Sequence, residues 1–279
     1  MSIAYYNGTF CNFEDVKIPL SDRSVFFGDG IYDAAIGRLG GIYLEDEHIT
    51  RFLNNAQRLN IPVNFSEAQL SALLHEIILR NNFEEYFIYF QLTRYCEERR
   101  HAYSNVKKSN LLITVKQHSL PDFEKKIKLI TCEDLRYYMC DIKTLNLLPA
   151  VLASAKAESA GCDEAVFIRG GTVTECAHSN IAIIKNGILY THPKSSLILP
   201  GITRERLLFM CEKLSIPYKE APFSESELKD ADEILITSTT KLCVAVSKIN
   251  GENVGKCNNC VSKALISALK KDFFAEKIT

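Results

Sequence analysis

The stretch CDIKTLNLLPAV, residues 140–151, sets a single lysine, Lys143, between an extended segment and an apolar run. Asn146 is a typical N-cap residue and Pro149 is typical of a first helical turn, so the stretch predicts a helix that begins shortly after the lysine. Gly161 is a typical residue for the end of this helix. The buried face of the helix is expected to consist of Leu147, Leu148, Val151 and Leu152.

The position of Lys143 bears on the chemistry of its ammonium group. Surface lysines are common, so a solvated charge at a helix entrance is the simplest interpretation. However, a helix N-terminus destabilises a neighbouring ammonium group and burial acts in the same direction, so both would lower the pKa of Lys143. A lysine with a lowered pKa can act as a Schiff-base nucleophile. Lys143 is therefore a candidate nucleophile if other residues supply a cofactor site.

Composition limits the classes of protein to consider. The chain has 279 residues, 47% of them hydrophobic, which is enough for one large or two modest domains with a core. Its formal net charge of -1 gives no electrostatic reason to expect nucleic acid or an anionic membrane as a partner. No apolar run approaches membrane-spanning length, and the opening MSIAYYNGTF lacks a signal pattern. We therefore expect a cytoplasmic protein.

Ten cysteines are scattered along the chain, and we expect most of them to be reduced and buried. Cys257 and Cys260 form the one CxxC pair. A zinc site would need two more ligands, and no second pair exists, so no metal is expected. A CxxC ahead of a helix can be redox-active because the helix N-terminus favours thiolate, but a structural role is the preferred interpretation here.

The first part of the chain predicts strands, two helices and two further strands. Helical spacing of Ile49, Phe52 and Ala56 predicts one helix, and a second is expected at about residues 66–80. YFIYFQLTRY and NLLITVKQ are typical of strands. The pattern breaks at Pro121. We therefore predict two domains, residues 1–119 and 120–279.

The second part alternates strands and helices in mixed order. NIAIIKNGILYTH predicts a hairpin with Asn186-Gly187 as its type I′ turn. Ser224 and Glu227 have capping-box spacing at the start of a short helix, and the last helix is expected to begin near Val261. These patterns predict an α/β (α+β) protein.

A phosphate-bearing cofactor would need a helix N-terminus, hydroxyl groups and a cation. In LPGITRERL, Gly201 forms a turn that enters a helix, and TSTTK supplies hydroxyls after a strand, although such a run is commonly only a turn. The candidate ligands are the amides of Ile202 and Thr203, the hydroxyls of Ser238, Thr239 and Thr240, and the guanidinium of Arg51.

A cofactor with a pyridine ring also needs a carboxylate to keep the ring nitrogen protonated, so that the ring can accept electrons. GTVTECAHSN ends a strand-like run on Glu175, which is a candidate for this role. By spacing alone, a solvated acid in a turn is the alternative interpretation of Glu175.

Seven motifs, in order along nearly the whole chain, carry a family resemblance: DRSVFFGDGIYD, EHITR, IYFQLTR, DIKTLNLL, GTVTECAHSN, LPGITRE and TSTT. With these motifs the chain resembles class IV, or fold-type IV, pyridoxal phosphate aminotransferases, most of all the bacterial D-amino acid aminotransferases. The resemblance implies a smaller N-terminal α/β domain, a larger C-terminal mixed β domain with helices, and pyridoxal 5′-phosphate as cofactor.

The resemblance also implies roles for individual residues. Lys143 matches the Schiff-base lysine, which would also move the proton between the substrate Cα and the cofactor. Glu175 matches the partner of the pyridine nitrogen, and Arg51 matches the phosphate arginine. The remaining cofactor contacts implied are Ile202, Thr203, Ser238 and Thr239 at the phosphate, and Leu199 against the ring.

The substrate site implied by the resemblance is an R-x-H pattern in CEERRHAY. Arg99 and His101, with Arg100 between them and with Tyr32 of GIYD, match the trap for the substrate α-carboxylate. A guanidinium and an imidazole suit a carboxylate because both donate hydrogen bonds and carry charge. The side of the pocket that holds the trap decides between D- and L-amino acids. The resemblance thus implies transamination of D-amino acids, such as D-alanine, with 2-oxoglutarate as acceptor.

The resemblance further implies a homodimer with shared active sites, in which the R-x-H loop reaches the partner's pocket. Some residues depart from the pattern: Asp33 replaces the usual glutamate, Ala34 and Ala35 replace bulkier residues, and Arg38 adds a cation that could alter specificity. The alternatives are a branched-chain aminotransferase, an aminodeoxychorismate lyase, or a pyridoxal phosphate-binding protein without turnover. The preferred amino acid stays open at this stage.

Overall fold

The computed structural model describes residues 2–105, 107–119, 122–255 and 260–275, and these form two compact units. Unit 1 contains the described residues up to 119 together with Ile142–Asn146, and unit 2 contains the rest. The segment Ile142–Asn146 therefore belongs with unit 1, whereas the sequence had assigned it to the second domain. The domain boundary between residues 119 and 120 stays a prediction, because residue 120 lies outside the described residues.

Unit 1 is built on a six-stranded sheet with strand order β2-β1-β6-β5-β3-β4, in which every neighbouring pair is antiparallel. Its elements are β1 (Ile3–Tyr6), β2 (Thr9–Asn12), a short 3-10 helix (Phe13–Asp15), α1 (Arg23–Phe27), β3 (Gly30–Arg38), β4 (Gly41–Ile42), α2 (Glu45–Arg58), α3 (Glu67–Asn81), β5 (Glu85–Thr93) and β6 (Asn110–Gln117).

The core of unit 1 lies between one face of this sheet and the two long helices. The predicted apolar face of α2 is confirmed, since Ile49, Phe52 and Ala56 are buried in the same cluster as alternate residues of β3 and β5. A capping box of Ser66 and Gln69 fixes the start of α3, and the sequence prediction had not used this signal.

Unit 2 is built on a nine-stranded mixed sheet with order β12-β11-β10-β13-β14-β7-β8-β9, and β15 pairs with β14. Its elements are β7 (Ile127–Glu133), α4 (Leu148–Ser159), β8 (Glu164–Arg169), β9 (Thr172–Cys176), β10 (Asn180–Lys185), β11 (Ile188–Thr191), α5 (Ile202–Lys213), β12 (Tyr218–Glu220), α6 (Glu225–Lys229), β13 (Glu233–Ser238), β14 (Leu242–Ile249), β15 (Glu252–Asn253) and α7 (Cys260–Ala275).

The local signals in unit 2 are mostly confirmed. Asn186 and Gly187 both have positive φ, as a type I′ turn requires, and they join antiparallel β10 and β11. The Ser224 capping box starts α6. Helix α7 begins at Cys260, next to the predicted Val261.

Helix α4 differs from its prediction in two ways. Its N-cap is Leu147 rather than Asn146, whose side chain instead donates to the carbonyl of Gly28. The predicted buried stripe is also wrong: Leu148, Val151 and Leu152 are 67%, 58% and 62% exposed. The helix packs through the small residues Ala153 and Ala157, which allow a close approach to β8 and leave the larger side chains facing outward.

The prediction for the cysteines is confirmed in part. Those in the described residues are free thiols, and three of them, Cys176, Cys211 and Cys243, are buried. Cys257 of the CxxC pair lies outside the described residues, whereas Cys260 is exposed. None of the described helices is long and apolar enough to cross a membrane.

Candidate active site

Lys143 is held by its backbone against the start of β3 in unit 1. The amide of Tyr32 donates to the carbonyl of Lys143 at 3.0 Å, and the amide of Leu145 donates to the carbonyl of Gly30 at 3.1 Å. These two bonds frame a short antiparallel bridge between Ile31 and Thr144. The backbone on both sides of the lysine is therefore fixed, although it belongs to no helix or strand.

The side chain of Lys143 contacts Tyr32, another predicted site residue. Its Nζ lies 4.3 Å from the centroid of the Tyr32 ring, within the range of a cation–π interaction. Tyr32 is itself stacked on Tyr89 of the adjacent strand β5, with centroids 5.4 Å apart. The structure thus brings the candidate nucleophile and one candidate substrate residue together.

Asp33 follows Tyr32 on β3, so its side chain points to the opposite face and is fully buried against α2. Nε and Nη2 of Arg51 each donate to one Asp33 oxygen at 2.8 Å, and Nδ1 of His48 lies 2.8 Å from the same carboxylate. Burial alone would raise the pKa of Asp33, but the charges and hydrogen bonds of Arg51 and His48 hold it below its ordinary value. The candidate phosphate arginine is therefore fixed in orientation.

The loop that carries Arg99 and His101 follows β5, and both side chains are exposed. None of the described residues of this loop belongs to the core of unit 1. Glu97 differs from its neighbours, because its side chain is only 13% exposed and accepts a hydrogen bond from Nη1 of Arg23 at 2.8 Å.

Glu175, at the end of β9 in unit 2, is 6% exposed, which excludes the alternative of a solvated turn acid. Its Oε2 accepts from Nδ2 of Asn180 and from the amide of Leu199, both at 3.0 Å. Its Oε1 accepts from the guanidinium of Arg136. The amide of Leu199 also lies 3.1 Å from Oε1, so both carboxylate oxygens are oriented by donors from three residues.

Arg136 connects Glu175 to a row of alternating charges. Its Nε donates to Asp134 at 2.9 Å, and Asp134 also pairs with Arg169 at 3.0 Å. Burial alone would raise the pKa of Asp134, but hydrogen bonds and charge from the two arginines lower it to about 2. Burial opposes the charge of Arg136, yet Asp134 and Glu175 raise its pKa above the ordinary value.

The predicted phosphate ligands of unit 2 lie at strand and helix ends. Ile202 and Thr203 begin α5, whose N-cap, Gly201, provides no side-chain hydrogen bond to the first amides. Such amides can bind an anion. Ser238 ends β13, and its Oγ accepts from the amide of Lys241 at 3.2 Å, while Thr239 follows in the turn.

Asn180 links the carboxylate of Glu175 to the approach to α5. It begins β10 opposite Thr237 of β13, and its Nδ2 donates to the carbonyl of Leu199 at 2.9 Å. A Cβ atom at Gly201 would collide with Oδ1 of Asn180, so glycine is required there. Leu199 thus reaches Glu175 through its backbone, and its contact with a cofactor ring stays a prediction.

Sequence reasoning missed several residues that order these groups, namely Arg23, His48, Arg136 and Asn180. The spacing of His48 and Arg51, one helical turn apart, could have indicated a shared partner. Nothing in the spacing of Arg136 and Glu175 indicates that they meet, because the contact depends on the folding of several strands.

These groups fit one class of cofactor. In unit 1, the amine of Lys143 suits an aldehyde; in unit 2, the buried carboxylate of Glu175 suits a basic ring nitrogen, and the amides at the start of α5, which have no side-chain cap, suit a phosphate. Pyridoxal phosphate carries all three groups. The chemistry of these groups, taken unit by unit, therefore fits this cofactor.

Comparison with known proteins leads to the same cofactor. The profile of the family described as "Amino-transferase class IV" matches residues 30–249. The D-alanine aminotransferase of Staphylococcus epidermidis is 38% identical over 91% of both chains, and that of Bacillus licheniformis is 35% identical over 97% of both. A branched-chain amino acid aminotransferase of T.th., solved with N-(5′-phosphopyridoxyl)-L-glutamate, has a TM-score of 0.91 at 22% identity, covering 99% of this chain and 95% of its own.

The similarity to the branched-chain enzyme shows only the fold. The family profile and the sequence relatives show the family. The chain belongs to the class IV aminotransferase family and is a pyridoxal phosphate-dependent aminotransferase.

Proposed function

We propose that this enzyme transfers the amino group of a D-amino acid, such as D-alanine, to a 2-oxo acid such as 2-oxoglutarate. The observation that carries the proposal is the exposed pair Arg99 and His101 on an anchored loop, in a chain whose relatives in Staphylococcus and Bacillus are D-alanine aminotransferases. The branched-chain enzymes of similar fold are much less similar in sequence.

Pyridoxal phosphate supplies a carbonyl for the amine and a ring that accepts the electrons released at the substrate Cα. Lys143 is the residue that would attach to it and then move the proton at Cα. Its fixed backbone and the ring of Tyr32 beside Nζ support this role, because they restrict the amine to a small region. A restricted amine needs little reorganisation to reach the proton.

Glu175 would hold the proton of the pyridine nitrogen. The Arg136 guanidinium and the Leu199 amide support this role, since they favour the ionised form of the acid and orient both oxygens. Membership of class IV supports the view that Glu175 and Lys143 serve the same cofactor.

The phosphate would be bound by Arg51, the first amides of α5 and the hydroxyls of Ser238 and Thr239. Arg51 retains a fixed orientation through Asp33, and a planar guanidinium with several donors suits phosphate oxygens. The helix dipole of α5 adds favourable partial charge.

The substrate α-carboxylate would be bound by Arg99, His101 and Tyr32. We propose that the active enzyme is a homodimer in which this loop serves the partner's site. Two features support a second copy: the exposed polar pair on the loop, and the apolar side chains of Leu148, Val151 and Leu152, which α4 turns outward. The free thiols of the described residues agree with a cytoplasmic location.

The test uses the purified protein with pyridoxal phosphate. We expect absorbance in the visible region and, after borohydride reduction, cofactor mass on the peptide that contains Lys143. Single half-reactions with the D- and L-enantiomers of alanine, glutamate and aspartate, followed by absorbance, should show conversion for the D-series. Each L-enantiomer is the matched control for its D-form.

Other outcomes distinguish the alternatives. Faster conversion of L-leucine or L-valine than of any D-amino acid would indicate a branched-chain aminotransferase. Release of pyruvate from aminodeoxychorismate would indicate the lyase. Cofactor attachment without conversion of any amino acid would indicate a binding protein, and absence of attachment would contradict the assignment of Lys143.

A further inference from the structure

The loop of residues 95–104, here named the carboxylate loop, is anchored by side chains outside the site residues assigned above. All of its residues are described, and they form no helix and, apart from the bridge of Cys96 to Asp22, no strand pairing. The exposed side chains of Arg99 and His101 would lose conformational freedom on binding a substrate. What holds this loop therefore bears on the affinity for substrate, an inference that rests on the proposed function.

Arg23 fixes the main chain of the loop. This residue of α1 is buried, and its Nη1 donates to the carbonyl of Arg100 at 2.8 Å while Nη2 donates to the carbonyl of His101 at 3.1 Å. Nη1 also bonds Glu97, and Nε bonds Asp29 at 2.7 Å. The planar guanidinium thus ties together two consecutive carbonyls next to Arg99 and the acid at the start of the loop.

Phe27 contacts the side chains of the loop. Its ring centroid lies 5.3 Å from Cζ of Arg99 and 5.4 Å from the centroid of His101. Cζ of Arg23 is 4.8 Å from the same ring. One aromatic ring therefore meets both residues of the R-x-H pattern and the arginine that binds their backbone. Phe26 is more distant from Arg99, at 5.8 Å.

We propose that Phe27 and Arg23 are positioning residues that hold Arg99 and His101 ready for the substrate α-carboxylate. Arg23 sets the backbone of the loop, and the face of Phe27 restricts the guanidinium and the imidazole. A carboxylate then meets two donors that are already oriented, and less side-chain freedom is lost on binding. Neither residue takes part in the chemical step, so replacing them should change the affinity for substrate and not the rate of that step.

The test replaces Phe27 by leucine, which keeps an apolar side chain and removes the aromatic face. We expect the Phe27→Leu enzyme to show KM for D-alanine and the inhibition constant for propionate, a carboxylate without an amino group, both raised about five- to tenfold. We expect kcat to stay within about twofold and the absorbance spectrum of the bound cofactor to stay unchanged, because only binding is affected. Phe27→Tyr, which retains the ring, should restore both constants.

The matched control is Phe10→Leu, in the same unit. The ring of Phe10 also lies beside an arginine, with Cζ of Arg80 at 4.1 Å, and beside an aromatic residue, Tyr5 at 5.1 Å, but it is on the edge strand β2. This variant should keep wild-type constants. Arg23→Lys, which preserves charge but not the paired donors, should raise the same two constants if it folds.

Equal constants for Phe27→Leu and Phe10→Leu, or a fall in kcat without a rise in KM, would overturn the inference. The proposed function fails by a different result, namely absence of D-amino acid conversion by the wild-type enzyme. The two failures are therefore distinguishable.

Discussion

At the scale of single residues, the most informative carboxylate is Glu175. It is buried, yet it bonds a guanidinium, a main-chain amide and an amide side chain, so its charge is balanced without solvent. Glu175→Gln would keep the shape and remove the charge that favours a protonated ring. We expect the cofactor to be retained and kcat to fall on the order of 10²-fold, measured by D-alanine half-reactions.

A control for this substitution is Glu233→Gln. Glu233 is another buried glutamate of unit 2, and it accepts from the amide of Ser262 at 2.8 Å at the start of α7. Its replacement should lower stability but leave the rate of the half-reaction unchanged. Near-normal turnover of Glu175→Gln would exclude Glu175 as the partner of the ring nitrogen.

Asp33 supports a second prediction at this scale. Its carboxylate orients Arg51, and without its charge the guanidinium would remain in a mostly buried position with its main counterion lost. Breaking a buried ion pair in this way costs about 3 kcal/mol or more. For Asp33→Asn we expect weaker binding of pyridoxal phosphate to the apoprotein, measured by fluorescence titration, together with lower stability to urea.

The comparison for Asp33→Asn is Glu45→Gln. Glu45 lies on α2, the helix that carries Arg51, but its carboxylate bonds His75 and Ser71 rather than Arg51. Its loss should reduce stability without changing cofactor affinity. Equal cofactor affinity of wild type and Asp33→Asn would mean that Asp33 does not orient the phosphate ligand.

Asp134, which follows β7, gives a prediction about how the stability of the protein depends on pH. The folded-state pKa of Asp134 is lowered to about 2 by its two arginines, so its contribution to stability is complete above the ordinary pKa near 4 and is lost as the pH falls towards 2. The shift corresponds to about 2 kcal/mol. Asp134→Asn should therefore be less stable at neutral pH, but its stability should fall less steeply on acidification.

Urea unfolding at a series of pH values between 5 and 3 measures this slope. Glu133→Gln is the neighbouring control, because Glu133 is exposed and not part of the arginine cluster. That variant should keep the wild-type slope. An unchanged slope in Asp134→Asn would contradict the assignment of the acid-sensitive contribution to this carboxylate.

At the scale of elements, sequence patterns correctly predicted features that depend on one segment alone. They did not predict which face of a helix packs against another element. The run NLLITVKQ is β6 from its first residue to its last, and Asn186-Gly187 forms the predicted turn, because strand alternation and positive φ are local properties. The apolar stripe of α4 was assigned to the core, whereas the alanines make the contact. Periodicity shows that a helix has an apolar face but does not show what covers it.

The exposed face of α4 leads to a prediction about assembly. Leu148→Glu places an acid at the first residue of the helix, where the dipole favours negative charge, so α4 itself should remain folded. A second copy packed on this face would have to bury the new charge. We expect the variant to shift from dimer to monomer in sedimentation experiments at micromolar concentration.

Leu79→Glu is the matched control for Leu148→Glu. Leu79 lies on α3 and is 75% exposed, which resembles the exposure of Leu148, but it does not belong to the apolar face of α4. This variant should sediment as the wild type does. A dimeric Leu148→Glu protein would place the subunit contact elsewhere.

At the scale of the whole molecule, the motifs predicted the class of enzyme but not the contacts that support its site. Arg23 meets Glu97, and Arg136 meets Glu175, across many intervening residues. Such contacts depend on strand order, which spacing along the chain does not reveal. The lysine motif was recognisable because its residues are consecutive, and its attachment to β3 became visible only with the fold.

The last prediction concerns the sharing of sites between subunits. If the carboxylate loop serves the partner's site, Arg99→Ala and Lys143→Ala damage different sites when each is present in one subunit of a dimer. One site of the mixed dimer then carries both lesions, and the other carries neither. Mixing the two weakly active proteins after reversible dissociation should therefore restore activity, up to about a quarter of the wild-type level, since random exchange gives half mixed dimers with one intact site each.

A second mixture of variants serves as the negative control for this experiment. Lys143→Ala with Arg51→Ala combines two residues that we assign to the cofactor contacts of the same subunit, and both lie in unit 1. Every site of that mixed dimer would carry one lesion, so activity should not return although the subunits exchange equally well. Recovery in the first mixture alone, with exchange verified by mass-tagged subunits, is the expected result. Failure of the first mixture despite verified exchange would mean that Arg99 acts in its own subunit or outside substrate binding, because an exposed loop can bind a carboxylate only in the site that it reaches.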